Sequence, residues 1–182
     1  MEETILLPHK IKSKGIVYQD KYKKIEKIQA DFQGFKKEYF VSDYGRKAAV
    51  VIVRDNKILL VRQYRLLING LSYEIPGGKI NEKEPPEKAA MRECLEETGM
   101  KCSGLKRLIE FDPDLEYSRN HTYVFVAKAT QGMLKKEKRS VWVSIKRCRE
   151  MVFSGKISDS LTVISVLAYL TKNIKRKERN RS

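Results

Sequence analysis

A chain of 182 residues fits one compact domain with room for a small extra piece, and it can bury a core without a disulfide or a structural metal. Its 38 Lys and Arg against 23 Asp and Glu leave a formal charge of +15, which favours anionic partners without choosing among nucleotides, RNA and acidic surfaces. Cys94, Cys102 and Cys148 form no CxxC pair, which argues against a disulfide framework or zinc site, and the acidic start Glu2-Glu3 with no long apolar run leads to the expectation of no signal peptide, no membrane span and a cytoplasmic setting.

Residues 15–41 are irregular, strand-like and rich in Lys and aromatics, which suits short antiparallel strands with one wet face. Segments 48–53 and 57–62, joined by Arg54-Asp55-Asn56, read as a hairpin whose first strand is buried on both faces. A further strand at 72–75 is expected to stop at Pro76-Gly77-Gly78. A helix can begin at Pro85-Pro86 and close at Gly99. Strands follow at 105–111, 122–129 and 141–143, then a short helix at 144–153. Ser158 or Asp159 can cap a final helix with the apolar stripe Leu161, Ile164, Leu167 and Ala168, which is core. The last eleven residues carry +5 and read as a solvated, frayed helix end, with a nucleic-acid or membrane contact as the lesser alternative. The organisation expected is therefore an N-terminal strand segment at 1–44, a main domain at 45–172 and a basic tail at 173–182.

The chemistry concentrates in residues 78–100. At about 100° per residue, Arg92, Glu93, Glu96 and Glu97 fall on one arc of the helix, and Met91, Cys94, Leu95 and Thr98 on the other. The like-charge pair Glu93 and Glu97 costs an isolated helix about 0.2–0.5 kcal/mol, and Glu96 adds to the repulsion. A hard divalent ion such as Mg²⁺ or Mn²⁺ would offset it, since such ions take oxygen ligands and bridge carboxylates to phosphates. From the three glutamates alone, a solvated acidic face is the competing interpretation.

Gly78, Glu84 and the run Arg92-Glu93-Cys94-Leu95-Glu96-Glu97-Thr98-Gly99-Met100 have the spacing of the Nudix box, which this segment closely resembles. Cys94 is the one mild departure, standing where the family prefers a larger aliphatic residue. Upstream, Val61-Arg62-Gln63-Tyr64-Arg65 and Tyr73-Glu74-Ile75-Pro76-Gly77-Gly78-Lys79 resemble the branch that hydrolyses ADP-ribose and nucleoside diphosphate sugars. The resemblance implies an α/β fold, the Nudix α/β/α sandwich with a mixed β-sheet. It also implies a small N-terminal β-strand subdomain that can mediate a homodimer and contribute to the base pocket.

By the same resemblance, Glu93 and Glu97 are direct metal ligands, Glu96 is a ligand or its close support, and the Gly77 carbonyl adds an oxygen. Arg92 orients the carboxylates, Glu84 assists the metal shell or is purely structural, and Gly78 permits a tight turn. Arg65 is the leading diphosphate contact, with Arg62, Arg46 and Glu74 as further substrate-side candidates. Glu137 is the candidate general base, with Glu116 as the alternative. Phe32, Phe35 and Tyr44 could stack on a base, although core is the favoured role for them. Asp112-Pro113-Asp114 only partly matches the turn found there in this branch. His9 and His121 sit in no nucleophile context, so a water nucleophile is expected.

The function these features imply is metal-dependent cleavage of ADP-ribose or a related nucleoside diphosphate sugar into a nucleoside monophosphate and a sugar phosphate. Two readings compete: a Nudix hydrolase acting on RNA 5′ ends, dinucleoside polyphosphates or oxidised nucleoside triphosphates, and a catalytically silent Nudix module that binds a nucleotide or RNA. A nucleic-acid partner is not favoured, and no membrane partner is expected.

Overall fold

A computed structural model describes residues 6–130 and 139–179, with side chains through residue 172. In chain order the strands and helices begin with β1 (Lys10–Gln19), β2 (Lys24–Asp31), β3 (Lys36–Asp43), β4 (Lys47–Arg54), β5 (Lys57–Arg65), β6 (Gly70–Glu74) and β7 (Gly77–Lys79). Helix α1 (Pro86–Thr98) is followed by β8 (Cys102–Phe111), β9 (Ser118–Arg119), β10 (Thr122–Ala129) and β11 (Ser140–Ser144). Helices α2 (Ile145–Phe153) and α3 (Ser160–Arg179) complete the order. No described helix is long and apolar enough to cross a membrane.

The chain divides into two compact units, Met1–Arg46 with Asp112–Asn120, and Lys47–Phe111 with His121–Ser182. The first holds a four-stranded sheet in the order β1-β2-β3-β9, antiparallel except for the short parallel pair β3–β9. Asp20 makes the β1–β2 turn by accepting the main-chain N–H groups of Tyr22 and Lys23, both at 2.7 Å. All ten residues of β1 are exposed, and Ala30 and Asp31 are the buried residues among those described in this unit.

The second unit is built on the sheet β11-β5-β4-β10-β8, with β6 added beside β5 and β7 beside β4. The β4–β10 pair is parallel and the others are antiparallel, which makes the sheet mixed. Strand alternation divides the core. Ala48, Val50 and Ile52 pack with Ala89, Ala90 and Cys94 of α1, whereas Ala49 and Val51 pack with Cys148 and Met151 of α2 and Val166 of α3. The unit is therefore an α/β/α sandwich, and β4 is buried on both faces as its sequence implies. Each fully buried Val, Leu or Ile contributes roughly 1.5–3 kcal/mol relative to exposure.

Asp55 and Asn56, at φ 47° and 58°, form the tight turn of the β4–β5 hairpin. The strand expected to stop at Pro76 ends at Glu74 as β6, and after Ile75 and Pro76 a separate strand, β7, begins on a different neighbour, with Gly77 and Gly78 paired to Ala49 and Ala48 of β4. A Cβ on Gly77 would lie 2.5 Å from the Ala49 Cβ and 2.8 Å from the Ala48 carbonyl oxygen, so glycine permits close approach of two strands.

Candidate active site

Helix α1 starts with Pro86 in its first turn and ends at Gly99, whose φ of 72° lets its N–H reach the Leu95 carbonyl. The face packed on the sheet consists of Ala89, Ala90, Cys94 and Thr98, and the Cys94 thiol donates to the Met100 carbonyl oxygen at 3.1 Å. Met91 and Leu95, expected on that face, are instead 39% and 43% exposed. The helix rests on the small side chains Ala89, Ala90 and Cys94, packed on Ala48, Val50 and Ile52 of β4, and the larger Met91 and Leu95 lie at the rim.

On the opposite face Arg92 uses all five of its N–H donors. Its Nε and Nη2 hold the two oxygens of Glu84, each at 2.9 Å, while Nη2 also donates to the Lys79 carbonyl at 2.9 Å. Its Nη1 donates to Glu93 at 2.6 Å and to Glu96 at 3.2 Å. Glu84 also accepts the Asn81 N–H at 3.0 Å, tying the loop before α1 to the same hub. The Arg92 guanidinium and then that N–H hold the Glu84 carboxyl below its ordinary range, and Glu84 in turn keeps Arg92 firmly charged.

Strand β7 forms the floor beneath two carboxylates. A Cβ on Gly78 would lie 2.4–2.5 Å from the carboxylate atoms of Glu93, so glycine makes room for that side chain. This differs from the expected turn role, for Gly78 is not among the glycines at positive φ. Glu97 accepts the Gly77 N–H at 3.0 Å and Gln63 Nε2 at 2.9 Å. Burial pushes the Glu97 carboxyl above its ordinary range, and the charges of Glu93 and Glu74 add to the push, outweighing both hydrogen bonds.

The donor set fits a hard divalent cation: carboxylate oxygens, those of Glu97 half-buried beside like charges, are what such an ion would neutralise. Among the described residues no three Asp, Glu, His or Cys groups are gathered tightly enough to enclose an ion by themselves.

On the substrate side, Arg65 grips Glu74 with two parallel hydrogen bonds, Nε to Oε1 at 2.7 Å and Nη2 to Oε2. Glu74 is 7% exposed, while the Arg65 side chain remains half exposed. Glu74 thereby orients Arg65, and its hydrogen bonds and charge raise the arginine's pKa further. Arg62 is half-buried and, by strand alternation, points to the opposite face of β5 from Gln63 and Arg65. Its main-chain N–H donates to Arg139.

Arg46 belongs to the other compact unit, as does Glu116, which pairs with Lys37 at 3.4 Å. Glu137 lies outside the described residues. In the first unit Phe32 and Phe35 stack on each other with centroids 4.8 Å apart, and Phe35 is half exposed, so it is not the core residue it was expected to be. The Tyr44 ring lies under the Lys23 ammonium, and in the second unit His121 packs edge-on to Tyr123.

Two residues that the sequence alone did not single out complete the arrangement. Gln63 lies within the Arg62–Arg65 run, and its place two residues before Arg65 puts both on one strand face. Thr162 is fully buried, and its hydroxyl accepts the Ile75 N–H at 3.1 Å. The signal for Thr162 is its position three residues after the helix cap Asp159.

The NUDIX domain family model matches residues 43–157. A methanol dehydrogenase activator of Bacillus methanolicus is 31% identical over 140 residues, covering 71% of this chain and 74% of the relative. An ADP-ribose pyrophosphatase of Bacillus subtilis is 27% identical over 139 residues, with the same coverage of 71% and 74%. A solved structure described as an ADP compounds hydrolase superposes with a TM-score of 0.76 at 16% identity, over 96% of each chain, which extends the likeness in fold beyond the matched domain. With the family model matching most of its length and the box glutamates arranged around β7, the chain belongs to the NUDIX domain family and is a Nudix hydrolase.

Proposed function

We propose that this hydrolase cleaves the diphosphate of ADP-ribose or a related nucleoside diphosphate sugar, releasing a nucleoside monophosphate and a sugar phosphate. The observation that carries the proposal is the pair of α1 glutamates set against β7, Glu93 over Gly78 and Glu97 on the Gly77 N–H, together with an arginine already oriented by Glu74. The ADP-ribose pyrophosphatase relative supports this substrate class.

Glu93 and Glu97 would hold Mg²⁺ or Mn²⁺, with the Gly77 carbonyl as a further oxygen and Glu96 in support. When bound, such an ion neutralises diphosphate charge and acidifies a coordinated water. Arg92 keeps Glu93 and Glu96 oriented, and Glu84 fixes Arg92. Gln63 and the Gly77 N–H hold the Glu97 carboxyl group in place. Arg65 presents its exposed edge to the diphosphate, and Arg62 and Arg46 are secondary candidates. Glu137, set in a basic stretch of the sequence, is the proposed acceptor of the proton of the attacking water.

A homodimer is part of the proposal, supported by the wholly exposed β1 with Ile11, Ile16, Val17 and Tyr18 turned to solvent. The deciding experiment incubates the full chain with ADP-ribose, other nucleoside diphosphate sugars, dinucleoside polyphosphates and capped RNA, each with Mg²⁺ or Mn²⁺. AMP and ribose 5-phosphate from ADP-ribose, at the highest kcat/KM of the panel, is the expected outcome. Preference for capped RNA or a dinucleoside polyphosphate would overturn the substrate assignment.

A further inference from the structure

Four consecutive residues leading into β7 are each fixed by a different element. Glu74 accepts both bonds from Arg65 of β5, and Ile75 donates to Thr162 of α3. Pro76 accepts the Val50 N–H of β4 at 3.0 Å, and Gly77 donates to Glu97 of α1. Three of these partners lie in the sheet or in the helix bearing the box; Thr162 alone comes from the opposite layer.

Its hydroxyl is placed for this one purpose. Asp159 caps α3 by accepting the Thr162 N–H at 2.8 Å, and the same carboxylate oxygen accepts the Thr162 hydroxyl proton at 2.7 Å. The hydroxyl's proton is thus committed to Asp159, and its lone pairs face the Ile75 N–H. Both Ile75 and Thr162 are buried, so no solvent competes for either group.

We propose that Thr162, oriented by Asp159, is a positioning residue for the candidate metal site: it fixes the Ile75 amide and so the height of Gly77 beneath Glu97. The proposal rests on the hydrolase mechanism above but concerns the backbone, which can be read without turnover. A β-branched side chain lacking the hydroxyl would preserve packing and free the Ile75 N–H. The segment would then be held on the α1 side and loose on the α3 side.

The test compares Thr162→Val, Thr162→Ser and wild type in the full chain. Hydrogen–deuterium exchange in metal-free protein is expected to show the Ile75 and Gly77 amides of Thr162→Val exchanging at least about tenfold faster, with Thr162→Ser near wild type. Steady-state kinetics on the substrate from the panel is expected to show kcat down about tenfold or more, KM within about twofold, and a higher Mg²⁺ concentration for half-maximal rate. Unchanged amide exchange in Thr162→Val, or unchanged kcat and Mg²⁺ requirement in a variant that only melts earlier, would reduce Thr162 to a packing residue. If Thr162→Val does not fold, Asp159→Asn, which keeps a capping oxygen and loses the charge, is measured in the same way; faster exchange supports the positioning role, and unchanged exchange or kcat overturns it. A wild type without activity on the panel leaves the exchange result decisive for the positioning role while sinking the proposed substrate.

Discussion

Gln63 and Glu97 meet across 2.9 Å although 34 residues separate them, so the carboxylate is held from the sheet side by a strand amide as well as by the Gly77 N–H. The two bonds favour the ionised acid and burial opposes it, with burial the larger effect. A charge on Glu97 is therefore disfavoured in the metal-free protein, and a bound dication would relieve that cost.

Replacing Glu97 by Gln is expected to cost kcat on the order of 100-fold or more while leaving the fold intact. In chelator the variant should melt at or above the wild-type temperature. A carboxyl whose folded pKa is raised stabilises most below its ordinary value, here 4.5, and loses that contribution as pH rises through the raised value. The melting gap between Glu97→Gln and wild type should thus widen from pH 4.5 upward and narrow when Mg²⁺ is added. Thermal melts across pH with EDTA or Mg²⁺ check this, and a gap independent of pH would refute the assigned burial cost.

Gly77 and Gly78 should respond differently to alanine. At Gly78 the new Cβ meets the mobile end of Glu93, so Gly78→Ala should displace that carboxylate, lower kcat about 10–100-fold and change stability by less than about 1 kcal/mol. At Gly77 it meets Ala49 and the β4 backbone, which cannot yield, so Gly77→Ala should cost about 1–3 kcal/mol or more. Urea unfolding alongside kinetics separates the two, and equal stability losses would contradict these contacts.

For Arg92→Lys, one ammonium cannot reproduce the five donors that bind Glu84, Glu93, Glu96 and Lys79. The expected result is a fall in kcat of about 10–100-fold with a smaller change in KM. The Glu84 carboxyl should move back up toward its ordinary value, because the guanidinium is the main cause of its depression. Carboxyl-resolved NMR titration of Glu84 is the measurement, and an unmoved resonance profile would show that Arg92 is not what holds it down.

Arg65→Ala is expected to raise KM for diphosphate substrates about tenfold or more and also to lower stability by about 1–3 kcal/mol, since buried Glu74 loses both of its arginine bonds. The double variant Arg65→Ala with Glu74→Gln should recover part of the stability and none of the KM. Recovery of KM in the double variant would place Arg65 in a purely structural role.

The fold and the helix that carries the box were legible wherever local chemistry decides the outcome. The β4–β5 hairpin follows from two apolar runs around Asp55-Asn56, and α1 follows from Pro85-Pro86 and Gly99. The carboxylate-bearing arc of α1 was legible too, because helix periodicity fixes which side chains share a face. Less legible were features created by the approach of distant segments. Nothing local says that Gly77 must sit against Ala49, or that Met91 and Leu95 lose the packed face to Ala89 and Ala90. Thr162 falls in the same class: its cap position is local, but its bond to Ile75 spans 87 residues.

The outermost strand, β1, has a consequence for how the chain can be cut. Ten residues with no buried side chain, in a unit where Ala30 and Asp31 are the buried ones described, supply almost no desolvated apolar area of their own. Expressed in isolation, that sheet would lack folding autonomy, and a protease offered the monomer should clip there before it reaches the doubly covered β4.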